Sequence, residues 1–372
     1  MTAILKDITG FYGKVLVKPR VNIGELLSVQ RLRGLAVLMV LIVHVEDIAH
    51  KLPGWGTATS FYARHIGYSA PDLFFVISGF IMTYITLTTP FQPRRWLVSR
   101  FVRIVPLYVF FVSLAVMLWL YNPAMTMGSG EQDAGSVIKS LLMLPQVGLP
   151  ILFVGWTLEH EIVFYATVFL VARFLTRDWL VPVMVLLAIL AFGKWLLRQS
   201  TGLDFWDFHV FSLYMAQFAM GACLYRFWST STYDGWLLPS LIGLVLLLVA
   251  VLFAESGSIN QEQPVRVLAF GGAYAMLLLT LLNREKRVRA AGKMPLKRDG
   301  LVWIGDASYS IYLSHPFALG CFGKLFPYLT LSQVSATVVV VGAGMVILLV
   351  GLLTHFLIEK PIIEVGKRLT RA

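Results

Sequence analysis

Arg33 and His44 sit eleven residues apart in the stretch RLRGLAVLMVLIVHV, Arg31–Val45. An α-helix turns about 100° per residue, so eleven residues close three turns with about 20° to spare, and both side chains fall on one face. They lie about 16 Å apart along the axis. A permanent cation and an imidazole are costly on an apolar helix and usually face a bundle interior or a wet cavity. Each also has a bland reading: Arg33 as a snorkelling flank residue, His44 as an interhelical hydrogen-bonding group. The shared face and the partners below favour a site.

Four other stretches carry polar residues into apolar surroundings. RFVRIVPLY places Arg100 and Arg103 at i,i+3, at the depth of Arg33. Three arginines at one level suit a phosphorylated ligand, because guanidinium pairs with phosphate bidentately. PDLFFVISGF puts Asp72 in the first turn behind Pro71, where a helix dipole favours an acid. Its Ser78-Gly79 step lets another backbone or a ligand come close. GWTLEHEIVFY sets Glu159, His160 and Glu161 in a row, with Thr157 and Glu161 on one face. GDASYSIYLSHP carries Tyr309, Tyr312 and His315 at i,i+3, followed by Pro316, which should kink the helix. Two layers result. One is a cationic mouth of Arg33, Arg100 and Arg103. The other is a cluster of His44, Asp72, Glu161 and His315, joined to the mouth along one face of the first helix.

The elements that must hold these layers are membrane helices. The chain has 372 residues, 58% of them hydrophobic and only 14% charged, against about 25% charged in soluble proteins. A span needs about 20 mostly apolar residues. Ten segments qualify, near 26–49, 71–89, 101–120, 154–175, 179–197, 207–227, 236–254, 264–283, 301–323 and 333–358. With the N-terminus inside, the inner segments hold 24 Lys and Arg and the outer ones, Arg266 among them, 7. That asymmetry puts both termini in the cytoplasm. The expected fold is an all-α polytopic membrane protein of about ten transmembrane helices. A cytoplasmic segment 1–25 precedes the membrane domain at 26–360, and a cytoplasmic tail follows at 361–372. No secretory signal is read in the first 25 residues, which hold Lys6, Lys14, Lys18 and Arg20. The basic stretch Asn283–Arg298 reads as a topology determinant beside anionic lipid, against a role in anionic substrate binding; membrane lipids are expected partners and nucleic acid is not. The connection 121–153 reads as a surface loop with a helical turn near Val137–Leu144. Cys223 and Cys321 read as small packing residues rather than a disulfide or a metal pair, and no metal is expected.

These blocks, with LLSVQRLRGLAVLMVLIVHV at the start and LIEKP (Leu357–Pro361) near the end, occur in the order found in the membrane-bound acyltransferase-3 family. The chain resembles that family over nearly its whole length. Among subfamilies it is most similar to the exopolysaccharide O-acetyltransferases, including those acting on succinoglycan. The resemblance implies a bacterial inner-membrane, multi-pass enzyme. It would move an acyl group, usually acetyl from acetyl-CoA, to a hydroxyl of a carbohydrate or lipid-linked glycan such as exopolysaccharide or O-antigen, alongside other polysaccharide biosynthesis proteins. It also implies that Arg33 and His44 are essential, that Arg100 and Arg103 engage the CoA, and that Glu161 is the acid of the fourth-span block. Some relatives carry an extracellular SGNH domain. This chain ends thirteen residues after Glu359 without one, so it is expected to complete transfer itself or to hand acyl groups to a partner. His160 departs from the family pattern.

On that reading the arginines hold the CoA phosphates, and the pantetheine arm runs past Ser78 and Tyr312 toward His44. Neutral imidazole, with an unperturbed pKa of about 6.5, suits a general base for a sugar hydroxyl. Glu161 or Asp72 would fix its tautomer, as in a triad. An acyl-His intermediate stays open, and Tyr312 and Trp156 are the candidate oxyanion donors. A transporter or flippase for a lipid-linked glycan is the rival class. Such folds show matching Gly/Pro-broken spans in their two halves, and no such pair is seen here.

Overall fold

The computed structural model describes residues 26–53, 55, 66–125, 129–130, 132–253, 263–292, 298–329 and 332–371. The segment 1–25 and the middle of the basic stretch 283–298 lie outside the described residues. Everything regular among the described residues is helical. Six helices are long and apolar enough to cross a membrane, so the chain is a multi-pass membrane protein.

The helices follow the apolar segments. They are α1 (Leu27–Ala49), α2 (Ala70–Thr88), α3 (Pro93–Tyr121) and a short α4 (Ala134–Leu141). Next come α5 (Trp156–Phe174), α6 (Leu180–Thr201), α7 (Met215–Thr230), α8 (Leu237–Phe253) and α9 (Pro264–Ala290). The last are α10 (Gly300–Asp306), α11 (Ser308–Leu325), α12 (Gln333–Thr354) and α13 (Lys360–Arg371). Pro93 and Pro264 open α3 and α9, where a missing N–H costs nothing and φ is pre-set. The helical turn expected in the 121–153 connection is α4. Asp133 caps it by accepting from the Ser136 amide, and the Asp133 amide donates in return to Ser136 Oγ. These bonds hold the Asp133 carboxyl below the usual carboxylate range.

Three boundaries differ from the expectation. The span read at 207–227 becomes a helix only at Met215. Asp207 accepts from the amides of His209 and Phe211 at 3.1 and 2.9 Å, so its side chain competes for backbone that a helix would use. The span read at 301–323 is broken at Ala307 rather than at Pro316, which lies inside α11. The break follows Gly305, whose backbone lies against Gln30 and Gly34 of α1. The span read at 333–358 ends in a π-helical turn, His355–Glu359, before α13.

α1 is central: it packs against α2, α9, α10, α11 and α12. α2 and α9 are two-thirds buried over their apolar windows, whereas the window that contains α6 is only 17% buried. The outward faces of α6, α8 and α12 carry exposed Leu186, Leu190, Leu244, Leu248, Met345 and Leu349. A helix in lipid is apolar on both sides, so hydropathy does not separate core from periphery. That explains one correction. Cys223 and Cys321 lie exposed as free thiols on α7 and α11 and do not pack the core.

Two features fix the central helices. Gly79 of α2 meets Gly221 of α7. A Cβ at Gly221 would stand 2.7 Å from the Phe80 amide nitrogen and 3.0 Å from Gly79 Cα, closer than packing allows. The close approach expected at Ser78-Gly79 is therefore that of the α7 backbone. The second feature is Asp72, wholly buried at the start of α2. It pairs with Arg266 of α9 at 3.2 Å and accepts from Gln217 of α7 at 2.5 Å. Its carboxylate is thus a three-helix joint, not a helix cap. Arg266, counted from the sequence among the outer-loop cations, is also buried.

Overpacking of the crossing should destabilise by about 1–3 kcal/mol or more. Gly79→Val should lower the unfolding midpoint in detergent, whereas Gly193→Ala, where a Cβ meets nothing within 4 Å, should leave it unchanged or raised. Removing one partner of a buried pair costs about 3–5 kcal/mol. Asp72→Ala and Arg266→Ala should each unfold well below the wild type, and Asp72→Asn with Arg266→Gln should recover part of the loss. If the singles melt as the wild type does, the joint carries no stability.

Candidate functional site

The mouth is built where α1, α3, α10 and the π-turn meet. The Gly34–Gly305 crossing brings α10 onto α1 one residue from Arg33; a Cβ at Gly34 would lie 3.2 Å from the Gly305 nitrogen. Arg33 then reaches Ser308 Oγ at 3.0 Å and Gln30 Oε1 at 3.5 Å. Arg100 donates to Ser99 Oγ and to Met82 Sδ, each at 3.4 Å. Neither has a carboxylate partner among the described residues. Arg103 differs. Its guanidinium pairs at 2.6 Å with Glu359, which also accepts from Ser310 Oγ and faces His355 Nδ1, both at 2.7 Å. A π-turn widens a helix by one residue per turn and is frequent at functional sites. Here it carries Glu359 to Arg103. All three arginines line an open recess of about 550 Å³, which also takes in His355 and Lys360.

Arg33, Arg100 and Arg103 are also in the wall of a second, more enclosed cavity of about 230 Å³. Its far side holds Ser78, Thr157, Glu161, Tyr165, Tyr309 and Tyr312. The face shared by Thr157 and Glu161 does turn inward. Glu161 accepts from Ser78 Oγ at 3.0 Å and from the Tyr165 hydroxyl. Tyr309 donates to the Ile104 carbonyl at 2.8 Å.

His44 lines a third, small cavity of about 20 Å³ that shares Pro71 and Tyr312 with the second. Along the line of the expected conduit lie three separate spaces, neighbouring ones sharing wall residues. Tyr312 stands in the wall between the last two, its hydroxyl 2.9 Å from both Thr157 Oγ1 and the Val154 carbonyl. The His44 ring stacks on His315 with centroids 5.3 Å apart and meets Phe153 edge-on at 5.3 Å. His315 is fully buried. Its Nδ1 is 3.3 Å from the Ile311 carbonyl, and its Nε2 has no hydrogen-bond partner among the described residues.

The acid beside His44 is neither Glu161 nor Asp72. It is Asp47, whose carboxylate lies 3.4 Å from His44 Nδ1. The Tyr68 hydroxyl donates to the same carboxylate at 3.1 Å. The sequence signal was the i,i+3 spacing in HVED, which puts Asp47 on the His44 face. Glu161 is committed to the second cavity and Asp72 to Arg266. Asp72 still bears on His44 at one remove, because Arg266 also donates to the Tyr68 carbonyl at 2.7 Å. Glu159 and His160 turn to another side: Glu159 is 3.2 Å from His209 Nε2, and His160 stacks on His209 at 4.2 Å. Among the described residues no three His, Cys, Asp or Glu side chains gather as metal ligands would.

Chemically, the arrangement offers two guanidinium groups with no paired carboxylate among the described residues at one end, a polar-lined cavity beside them, and an imidazole–carboxylate pair at the other end. The profile of the acyltransferase domain matches residues 26–355, which include Arg33, His44, Arg100, Arg103, Glu161 and His315. The chain is also 30% identical over 320 residues to the exopolysaccharide production protein ExoZ of Rhizobium meliloti (strain 1021), covering 81% of this chain and 91% of that protein. No solved structure matches it. An all-helical multi-pass protein with this profile over most of its length is an acyltransferase, and the chain belongs to the acyltransferase-3 family.

Proposed function

We propose that the protein takes an acyl group, acetyl by resemblance, from acyl-CoA at the cytoplasmic face of a bacterial inner membrane and transfers it to a hydroxyl of an exopolysaccharide. The name of the Rhizobium relative supports the acceptor class. On this reading ten helices cross the membrane, both termini are cytoplasmic, and lipid and other polysaccharide-assembly proteins surround the enzyme. The observation that carries it is the placement of Arg33 and Arg100, without carboxylate partners, on a cavity series that ends at His44 and Asp47.

The nucleotide phosphates of the donor occupy the open recess, where guanidinium fits phosphate. The pantetheine arm follows α1, whose rise from Arg33 to His44 is about 16 Å. Asp47 at Nδ1 leaves His44 Nε2 to accept the proton of the sugar hydroxyl. The hydroxyl oxygen attacks the thioester carbonyl, the C–S bond breaks, and the imidazolium returns the proton to the departing thiolate. Glu161 with Ser78 and Tyr165 shapes the passage. Tyr312 is the nearest hydroxyl donor for the developing oxyanion. His315 backs the His44 ring.

His44→Ala should reduce transfer by about 10²–10⁴-fold with normal membrane insertion and unchanged acyl-CoA binding. Asp47→Asn should reduce it less, while Asp72→Asn should act through stability. Retention of more than about a tenth of the rate in His44→Ala removes this imidazole from the chemistry. The arginines should separate by partner. Arg33→Ala and Arg100→Ala should raise the KM for acyl-CoA about tenfold or more, the loss of one charged hydrogen bond, and raised salt should mimic them in the wild type. Arg103→Ala should in addition lower the unfolding midpoint, because buried Glu359 loses its guanidinium partner and keeps only Ser310 and His355. Equal KM values in wild type and both arginine variants would sink the phosphate assignment.

A further inference from the structure

A separate recess of about 740 Å³ opens where α6 ends and the turn before α7 begins. It lies toward the His44 end of the bundle: Trp156, in the wall of the His44 cavity, packs at 5.7 Å on His160, which stacks on His209 in the wall of this recess. Its chemistry differs from that of the mouth. The geometry points to a carbohydrate subsite here, one that holds the glycan whose hydroxyl is acylated, and this rests on the functional reading above.

Charge excludes an anionic ligand. Lys194 lies 2.9 Å from Asp207 and 3.9 Å from Asp204, and Arg198 lies 3.4 Å from Asp204. Each cation is already neutralised, unlike Arg33 and Arg100. What remains is a ring of spare donors and acceptors. A carboxylate engaged by one cation keeps free lone pairs, and a paired ammonium or guanidinium keeps free N–H groups. A ligand that satisfies both must present many hydroxyls.

The same recess offers flat apolar surface. Phe205 and Trp206 are about half exposed in its wall, and Trp195 lies beside them. Sugar rings pair hydroxyl edges with apolar C–H faces, and pockets of aromatic walls with a few placed polar groups suit such ligands. The aromatics are held in place. Trp206 meets His209 edge-on at 5.1 Å, and the Lys194 ammonium sits 4.9 Å over the Phe205 ring. His209 is fixed by Glu159, which Gln146 bonds in turn at 3.1 Å.

The backbone is also specialised. Phe208 and His209 have φ of +52° and +64°, left-handed values that side chains other than glycine rarely adopt. Such strain persists where surroundings over-determine it, and it clusters at ligand sites. The Asp207 carboxylate supplies the constraint here by accepting from two following amides. Aromatics that merely anchor a chain at a membrane interface need neither this recess nor this turn.

The test uses the purified full chain in detergent and oligosaccharides of about six to eight sugars released from the host's own exopolysaccharide. Binding is read by saturation-transfer NMR and titration, independently of turnover. Wild type should bind, and coenzyme A should not compete. Trp206→Ala and Asp204→Ala should weaken binding about tenfold or more, as loss of a buried anchor does, and should raise the acceptor KM without changing the acyl-CoA KM. Leu203→Ala, exposed on the same turn but outside the recess wall, should do neither. If Trp206→Ala fails to fold, Phe205→Ala replaces it. The subsite is overturned if wild type binds no oligosaccharide or if Trp206→Ala and Asp204→Ala both bind as wild type does. If oligosaccharide binds as expected but no acyl group is transferred from acyl-CoA, the functional reading fails and the subsite stands.

Discussion

A charge inside an apolar bundle must find a partner, and the Asp72–Arg266 pair shows how far that requirement organises this protein. With both side chains almost wholly buried, neither is tolerable alone. Their pairing ties the start of α9 to the start of α2, while Gln217 draws in α7. Arg266 spends a second donor on the Tyr68 carbonyl, and the Tyr68 hydroxyl holds Asp47 beside His44. The imidazole is thus positioned by a relay that begins four contacts away, at a carboxylate that never faces it.

The same requirement sorts the remaining cations. Arg103 is committed to Glu359, and Lys194 and Arg198 to Asp204 and Asp207. Arg33 and Arg100 touch only neutral groups: a serine, an amide oxygen, a thioether. A guanidinium without a counter-charge at a cavity wall is expensive unless a ligand supplies one. Two recesses at opposite ends of α1 therefore ask for different ligands. One holds two guanidinium groups with no carboxylate paired to them among the described residues, and the other is neutral, hydroxyl-seeking and aromatic.

Much of this was legible in the residues. The Arg33–His44 face, the inward turn of Thr157 and Glu161, and the close approach at Gly79 all follow from helical periodicity and residue size. What escaped has physical causes. Asp72 sits in a first turn, where capping explains it as well as burial does, and its partner lies 194 residues away. Arg266 looked like a loop cation because hydropathy places helix ends only coarsely. Asp47 was passed over because acids were sought on other helices, though i,i+3 spacing supplied one on the same helix. Glu359 reaches Arg103 only through a π-turn, a register change that no periodicity predicts. The inner and outer faces of α6, α8 and α12 could not be told apart, since lipid and core are equally apolar.

On the proposed reading, α1 is a ruler between donor and imidazole, and its packing against five other helices makes it a rigid one. The ruler leads to a closed door. The Tyr312 hydroxyl is held by Thr157 and the Val154 carbonyl, and it divides the central cavity from His44. Those bonds are neutral, and a hydroxyl that left them unpaired inside the buried wall would cost about 1–3 kcal/mol, so its release needs a replacement acceptor. The door lies on α11, within one helical turn of His315, whose ring stacks on His44. A swing of Tyr312 toward a thioester carbonyl would open the passage and at the same time present a hydroxyl donor where charge develops. Opening and oxyanion stabilisation are then one motion of one side chain.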